Sequence, residues 1–249
     1  MRWAYGVTTV PEREKDLLPR TLKSLAVAGF DQPRLFVDGV NPKASNYPVE
    51  QVSYGQWDLE MTFRWPRIKT FGNWSLGLWE LLVRNPNADR FAMFQDDFVT
   101  GKNLREYLTR VPYPKNGYMN LYTFPSNQSL APESYGWYEA RELEHGIAYY
   151  GKKQQTGRGA VALVFSKEAV VTLLTHLDFM TKPIEAADAH RKVDGCIVNA
   201  MNRAGWREYV HNPSLVQHTG TNSSMGNQPH LQAISFLGED YDILDLLKC

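Results

Sequence analysis

The stretch Phe91-Ala-Met-Phe-Gln-Asp-Asp-Phe-Val99 is an apolar run that ends in two adjacent carboxylates and then resumes. A buried strand has no use for two neighbouring charges, because an unpaired carboxylate taken out of water has to find a cation, a metal or water. The pair therefore belongs at the end of a strand. In an α/β sheet that end is where ligands gather, and hard carboxylate oxygens there suit a divalent metal. The alternative reading of Asp96 and Asp97 is a structural pair that caps a turn or meets a nearby Arg or Lys.

The residues before this point alternate in type. Trp3–Val10 reads as a strand and Glu14–Ala28 as a helix with apolar Leu17, Leu18, Leu22, Leu25 and Val27, stopped by Gly29. Arg34–Asp38 reads as a second strand, residues 40–60 as a long loop with Pro42, Pro48 and Gly55, and Met61–Trp65 as a third strand. Asn73–Arg84 is a predicted helix, and Arg90–Gln95 the strand that delivers Asp96 and Asp97. Later come a strand over Gly159–Phe165, a helix over Ser166–Leu177 capped by Ser166, a helix over Asp194–Ala204, and an amphipathic piece around Leu237–Leu247. This order predicts a single α/β domain with a mainly parallel central sheet flanked by helices.

Lys+Arg and Asp+Glu are both 27, so the net charge is zero and nothing overall draws the chain to nucleic acid or anionic membrane. Cys196 and Cys249 make no disulfide framework. No segment approaches the roughly 20 apolar residues of a bilayer span, and Met1 leads straight into a strand pattern, so a soluble cytoplasmic protein is expected. The 7 Trp, 13 Tyr and 11 Phe offer stacking surfaces as well as core, above all between 107 and 150.

Three further segments carry chemistry. In Pro213-Ser-Leu-Val-Gln-His-Thr-Gly-Thr-Asn-Ser-Ser-Met-Gly226, His218 can offer an imidazole nitrogen to a metal, and the loop after it can hydrogen-bond phosphate. Asp194, in Arg191-Lys-Val-Asp-Gly-Cys196, stands at a helix start as either a base or a plain cap, with Asp188 and Glu185 as reserves. Arg158, in the basic glycine-bearing Lys152–Ala160, is a candidate for diphosphate or acceptor.

Together, the acidic motif and the late Pro-Ser-Leu-x-Gln-His-x-Gly-x-x-Ser-Ser segment resemble a GT-A glycosyltransferase, and the late segment is especially similar to the N-acetylglucosaminyltransferase IV family. Gly6-Val-Thr-Thr-Val-Pro-Glu-Arg13, Leu18–Leu25 and Leu35-Phe-Val-Asp-Gly39 fit that fold's nucleotide-binding start. The resemblance implies a nucleotide-binding half over 1–100 and an acceptor-binding half over 101–249. It implies Asp97 and His218 as ligands of Mn²⁺ or Mg²⁺, Asp96 beside the donor ribose, and Thr8, Thr9 and Arg13 near the nucleotide. Asp38 would reach the nucleoside, and Asp194 would be the base of an inverting transfer from a UDP-sugar. Gln95 departs from the resemblance by standing where the family carries an acid. The implied acceptor is a glycan or lipid-linked saccharide, with a hydroxymethylated base in DNA as the alternative. A non-catalytic nucleotide-sugar-binding module, or a nucleotidyltransferase or phosphatase built on the carboxylates, are the rival classes.

Overall fold

Side chains of Arg90–Gln95 alternate between two buried clusters, Ala92 and Phe94 in one, Phe91 and Met93 in the other. A strand apolar on both faces needs helices on both sides. The computed structural model, which describes residues 1–41, 43, 51–54, 57–180, 193–220 and 231–248, supplies them.

The strands are β1 (Trp3–Thr9), β2 (Arg34–Asp38), β3 (Gln51–Tyr54), β4 (Trp57–Arg64), β5 (Arg90–Gln95), β6 (Phe98–Thr100), β7 (Gly117–Asn120), β8 (Gly136–Glu139), β9 (Ala148–Tyr149), β10 (Lys152–Lys153), β11 (Ala162–Ser166), β12 (Arg207–Asn212) and β13 (Val216–His218). The helices are α1 (Leu17–Val27), α2 (Lys69–Arg84), α3 (Leu104–Arg110), α4 (Pro125–Gln128), α5 (Lys167–Thr175), α6 (Leu177–Met180) and α7 (Val193–Arg203). Nine strands form one sheet in the order β3-β4-β2-β1-β5-β11-β7-β12-β8. β4, β2, β1 and β5 are parallel, as are β7 and β12. β11 runs against both its neighbours, and β3 and β8 close the edges antiparallel. β6 and β13 form a separate two-stranded ribbon, and β9 and β10 a hairpin. The expected α/β architecture with a mainly parallel sheet is the one observed. Among the described residues, no helix is long and apolar enough to cross a membrane.

Local chemistry explains the elements. In α1, Leu18, Leu22 and Leu25 share a buried stripe, and Asp16 Oδ1 accepts the Leu17 N–H at 2.6 Å. Gly29, at φ +92°, ends it: Gly29 N donates to Ala26 O and Phe30 N to Leu25 O, the paired closure that a left-handed residue permits. Ser166 caps α5 by accepting the Ala169 N–H at 3.1 Å, as its sequence suggests. Two expectations need correction. The 40–60 loop gives way to β3 and to β4, which starts at Trp57 and not Met61, while residues 42, 44–50, 55 and 56 lie outside the described residues. The first helix starts at Leu17, because a short 3₁₀ turn over Pro11–Arg13 comes first.

One close fit holds the parallel half together. The Phe36 ring lies against Gly6 of β1 and Gly77 of α2, where an added Cβ would come within 2.5 and 2.8 Å of it. At Gly6 the Arg34 carbonyl oxygen is also only 2.9 Å from that position. Gly6→Ala is therefore expected to destabilise the fold by about 1–3 kcal/mol through overpacking, read as a lower midpoint in urea unfolding.

β12 carries a buried carboxyl and a buried imidazole. Glu208 accepts hydrogen bonds from Tyr118 Oη at 2.7 Å and Asn120 Nδ2 at 3.4 Å. Burial raises its carboxyl to about 7, with the Asp194 charge adding to the rise and the two hydrogen bonds opposing it. His211, between Tyr107 Oη at 2.6 Å and the Pro213 carbonyl at 2.7 Å, is pulled down to about 4 by burial. The two act in opposite directions. A carboxyl raised on folding stabilises fully below its ordinary value of 4.5, and that contribution is lost as pH rises through about 7. A histidine lowered on folding stabilises above 6.5, and that is lost as pH falls through about 4. Glu208→Gln is expected to be more stable than wild type by up to about 3 kcal/mol near pH 8, and not near pH 4.5, in urea unfolding at the two pH values.

Candidate functional site

β1 and β5 run parallel with Thr8 opposite Gln95, so the residues that follow, Thr9 and Asp96, meet at the carboxyl ends of the two strands. Thr9 Oγ1 donates to Asp96 Oδ2 at 2.6 Å. Beyond β1 the 3₁₀ turn, with Pro11 at its first position, brings Arg13 back over the strand end. One guanidinium nitrogen, Arg13 Nη1, donates both to Asp96 Oδ1 and to Asp97 Oδ2, the latter at 2.8 Å. Both carboxylates are only 2% exposed. Burial raises the Asp96 carboxyl to about 6, with the Asp97 charge pushing the same way and Arg13 and Thr9 opposing.

His218 arrives from the far end of the chain. β6 pairs antiparallel with β13, His218 opposite Phe98, and Thr219 N donates to the Asp97 carbonyl at 2.8 Å. The other edge of β6 is satisfied by a helix: Thr21 Oγ1 bonds both Phe98 O and Phe98 N, and Ser24 Oγ both Thr100 O and Thr100 N. Two buried hydroxyls on α1 thus stand where a neighbouring strand would be. The result sets His218 Nε2 at 3.7 Å from Asp97 Oδ2.

A divalent cation fits the carboxylate side of this arrangement. Asp97 Oδ1 is buried and has no hydrogen-bond partner among the described residues, so one hard oxygen is presented bare. A Cβ on Gly220 would stand 3.2 Å from Asp97 Oδ2 and 3.0 Å from His218 Cε1, so glycine keeps that side open. Among the described residues no three His, Cys, Asp or Glu side chains are placed to hold a metal ion together, so the protein offers an incomplete shell. Such a shell suits an ion that takes its other ligands from water and substrate phosphate. His218 fits on one condition. Its Nδ1 accepts the Gly220 N–H at 3.1 Å, which puts the ring proton on Nε2. Ligation through Nε2 requires that proton to move to Nδ1, which gives up the Gly220 N–H bond.

The remaining sequence candidates lie around this centre. Thr8 is spent on the sheet, its hydroxyl donating to Phe94 O at 3.2 Å. Asp38, at the end of β2, accepts the N–H groups of Ile68 and Lys69 at 2.9 and 2.7 Å, so both oxygens hold the start of α2. Gln95 Nε2 donates to Ala160 O. Asp194 sits in the first turn of α7, and its Oδ2 accepts the Gly159 N–H at 2.8 Å. Gly159 (φ +77°) lies against the Tyr122 ring, whose centroid is 6.3 Å from that of His218, so a chain of contacts links Asp194 to the carboxylate centre. Arg158 is exposed at the rim, 5.1 Å over the Phe124 ring. Glu185, Asp188 and residues 221–226 of the late segment lie outside the described residues.

Two contributors escape the sequence reading. Asn120 donates to the Arg158 carbonyl at 3.0 Å and accepts the Tyr122 N–H at 3.1 Å, fixing the 157–159 turn. Glu208 lies next to Asn120 and near Asp194. The only sequence signal for it is a lone acid inside the strand-like Arg207–Asn212.

No protein-family profile matches the chain, and no curated protein sequence matches it. Among solved structures it is similar to a putative glucose-1-phosphate thymidylyltransferase from Bacillus anthracis in complex with a sucrose, at a TM-score of 0.50 and 12% identity over 90% of this chain and 92% of that one. The galactosyltransferase LgtC in complex with donor and acceptor sugar analogues aligns at 0.44 and 11% identity, over 82% of this chain and 72% of that one. HddC from Yersinia pseudotuberculosis aligns at 0.37 and 9%, over 68% and 79%. At these identities the similarity is one of fold alone: a single α/β domain with a mainly parallel central sheet flanked by helices.

Proposed function

We propose that this chain is a metal-assisted glycosyltransferase that moves a sugar from a UDP-sugar to an acceptor hydroxyl with inversion. The observation that carries the reading is the meeting of Thr9, Arg13, Asp96, Asp97 and His218 at the carboxyl ends of parallel strands, with Asp97 Oδ1 bare. Ligands of open α/β sheets bind at that edge. The resemblance to the N-acetylglucosaminyltransferase IV family rests on the sequence of 213–226 alone, and the similar solved structures bear only on the fold.

In this reading Asp97 would hold Mn²⁺ or Mg²⁺, joined by His218 in the tautomer that carries its proton on Nδ1. The bound ion supplies Lewis-acid neutralisation of the leaving diphosphate. Asp96, fixed by Thr9 and Arg13, orients the nucleotide, and Arg158 guards the rim. Asp194 takes the acceptor proton. Its Oδ2 is engaged by Gly159, which aims the carboxylate and leaves Oδ1 for the acceptor hydroxyl. Zero net charge favours a neutral saccharide over DNA as acceptor.

Calorimetric titration with UDP is expected to show binding that depends on Mn²⁺ in wild type and falls by about tenfold or more in Asp97→Asn. Nucleotide binding indifferent to both metal and Asp97 would overturn the reading. Asp194→Asn is expected to lower turnover by about 10²–10⁴-fold while leaving UDP affinity unchanged, measured as UDP release. Full turnover in that variant would move the base elsewhere.

A further inference from the structure

Asp96 and Asp97 together carry two buried carboxylates, and a single guanidinium nitrogen faces both. That nitrogen is on Asp97 Oδ2, the same oxygen that looks toward His218 Nε2. Asp97 offers a cation its bare Oδ1 or Oδ2, and at Oδ2, the oxygen nearest His218 Nε2, the cation meets the Arg13 charge. A divalent ion on the Asp97 carboxylate and the Arg13 guanidinium already on Oδ2 at 2.8 Å would be two cations on one buried carboxylate. In a buried setting that repulsion is large.

We infer that Arg13 is a stand-in counter-ion for the metal. It neutralises the carboxylates before a divalent cation binds, gives up Asp97 when one does, and then pairs with the nucleotide diphosphate. The inference rests on the reading of Asp97 as a metal ligand and adds to it the exchange of cations.

Charge and placement both support the exchange. Two carboxylates and one guanidinium leave a resting charge of −1 if both acids are ionised. A divalent ion brings the group to +1, which an anionic diphosphate then offsets. Arg13 stands on a three-residue turn after β1 and outside the strand, its side chain 14% exposed. Its planar fork suits phosphate oxygens as well as carboxylates. Asp96 keeps a partner throughout, since Thr9 Oγ1 holds its other oxygen.

The exchange predicts effects of opposite sign, which a merely structural arginine would not produce. Titration of the metal-free protein with MnCl₂ alone, and of the Mn²⁺-saturated protein with UDP, is compared for wild type, Arg13→Gln and Arg13→Lys. Arg13→Gln is expected to bind Mn²⁺ about tenfold more tightly and UDP about tenfold more weakly. Its melting temperature without metal should fall, since the carboxylates lose their partner, and Mn²⁺ should restore it. Arg13→Lys retains the charge on a side chain one atom shorter and without the planar fork, so it should lie between the two in both titrations; it carries the test if the Gln variant does not fold. Mn²⁺ affinity unchanged or weakened in these variants overturns the exchange while leaving the metal site standing. Absence of Mn²⁺ binding to wild type overturns the metal reading, and the exchange with it.

Discussion

The cost of burying Asp96 and Asp97 side by side governs the architecture around them. Two adjacent carboxylates at the end of a central strand are tolerable only if each oxygen is answered. Thr9 answers one and Arg13 two, and both belong to the strand and turn that lie alongside. The fourth oxygen is left bare in a protein whose interior otherwise meets most of its polar atoms. A stable fold that keeps such an atom unpartnered is giving up free energy at one point, as functional sites often do.

Two registers, far apart in the chain, meet at this point. The β1–β5 ladder decides that Thr9 stands beside Asp96, and a slip of one residue would turn Thr9 away. The β6–β13 ribbon decides that His218 stands beside Asp97. Thr21 and Ser24 make the second register possible, since without their hydroxyls the outer edge of β6 would bury bare backbone groups against α1. Near Asp194 Asn120 plays the corresponding part, tying the turn that bonds Asp194 to a strand of the main sheet.

What the sequence discloses and what it hides divide along the distance of the interactions concerned. β2 and β5 are read to the residue, because Arg34–Asp38 and Arg90–Gln95 are apolar runs bounded by local signals. β4 shows a period-two pattern in Leu59-Glu60-Met61-Thr62-Phe63-Arg64 that the neighbouring prolines and glycine obscure. Its polar face is held by contacts no local rule supplies, such as Thr62 to Glu80 on α2 and Arg64 to Asn73. The start of α2 is missed for the same reason: its cap is Asp38, 30 residues upstream. That acid, assigned to the nucleoside from resemblance, has both oxygens on the helix. The acidic pair and His218 are visible as residue types, whereas the guanidinium that bridges the pair is visible only once the turn after β1 is in place.

The β6–β13 ribbon also makes the centre a meeting of the two ends of the chain. Thr100 and Leu215, bonded across it, are 115 residues apart in the chain. Thr9 and Arg13 come from the first strand and the turn after it, and His218 from the last strand. Loop-closure cost grows only slowly with length, so neither long closure is much dearer than the other. A chain cut short before β13 would keep the acidic pair and its arginine and lose the ribbon that covers Asp97.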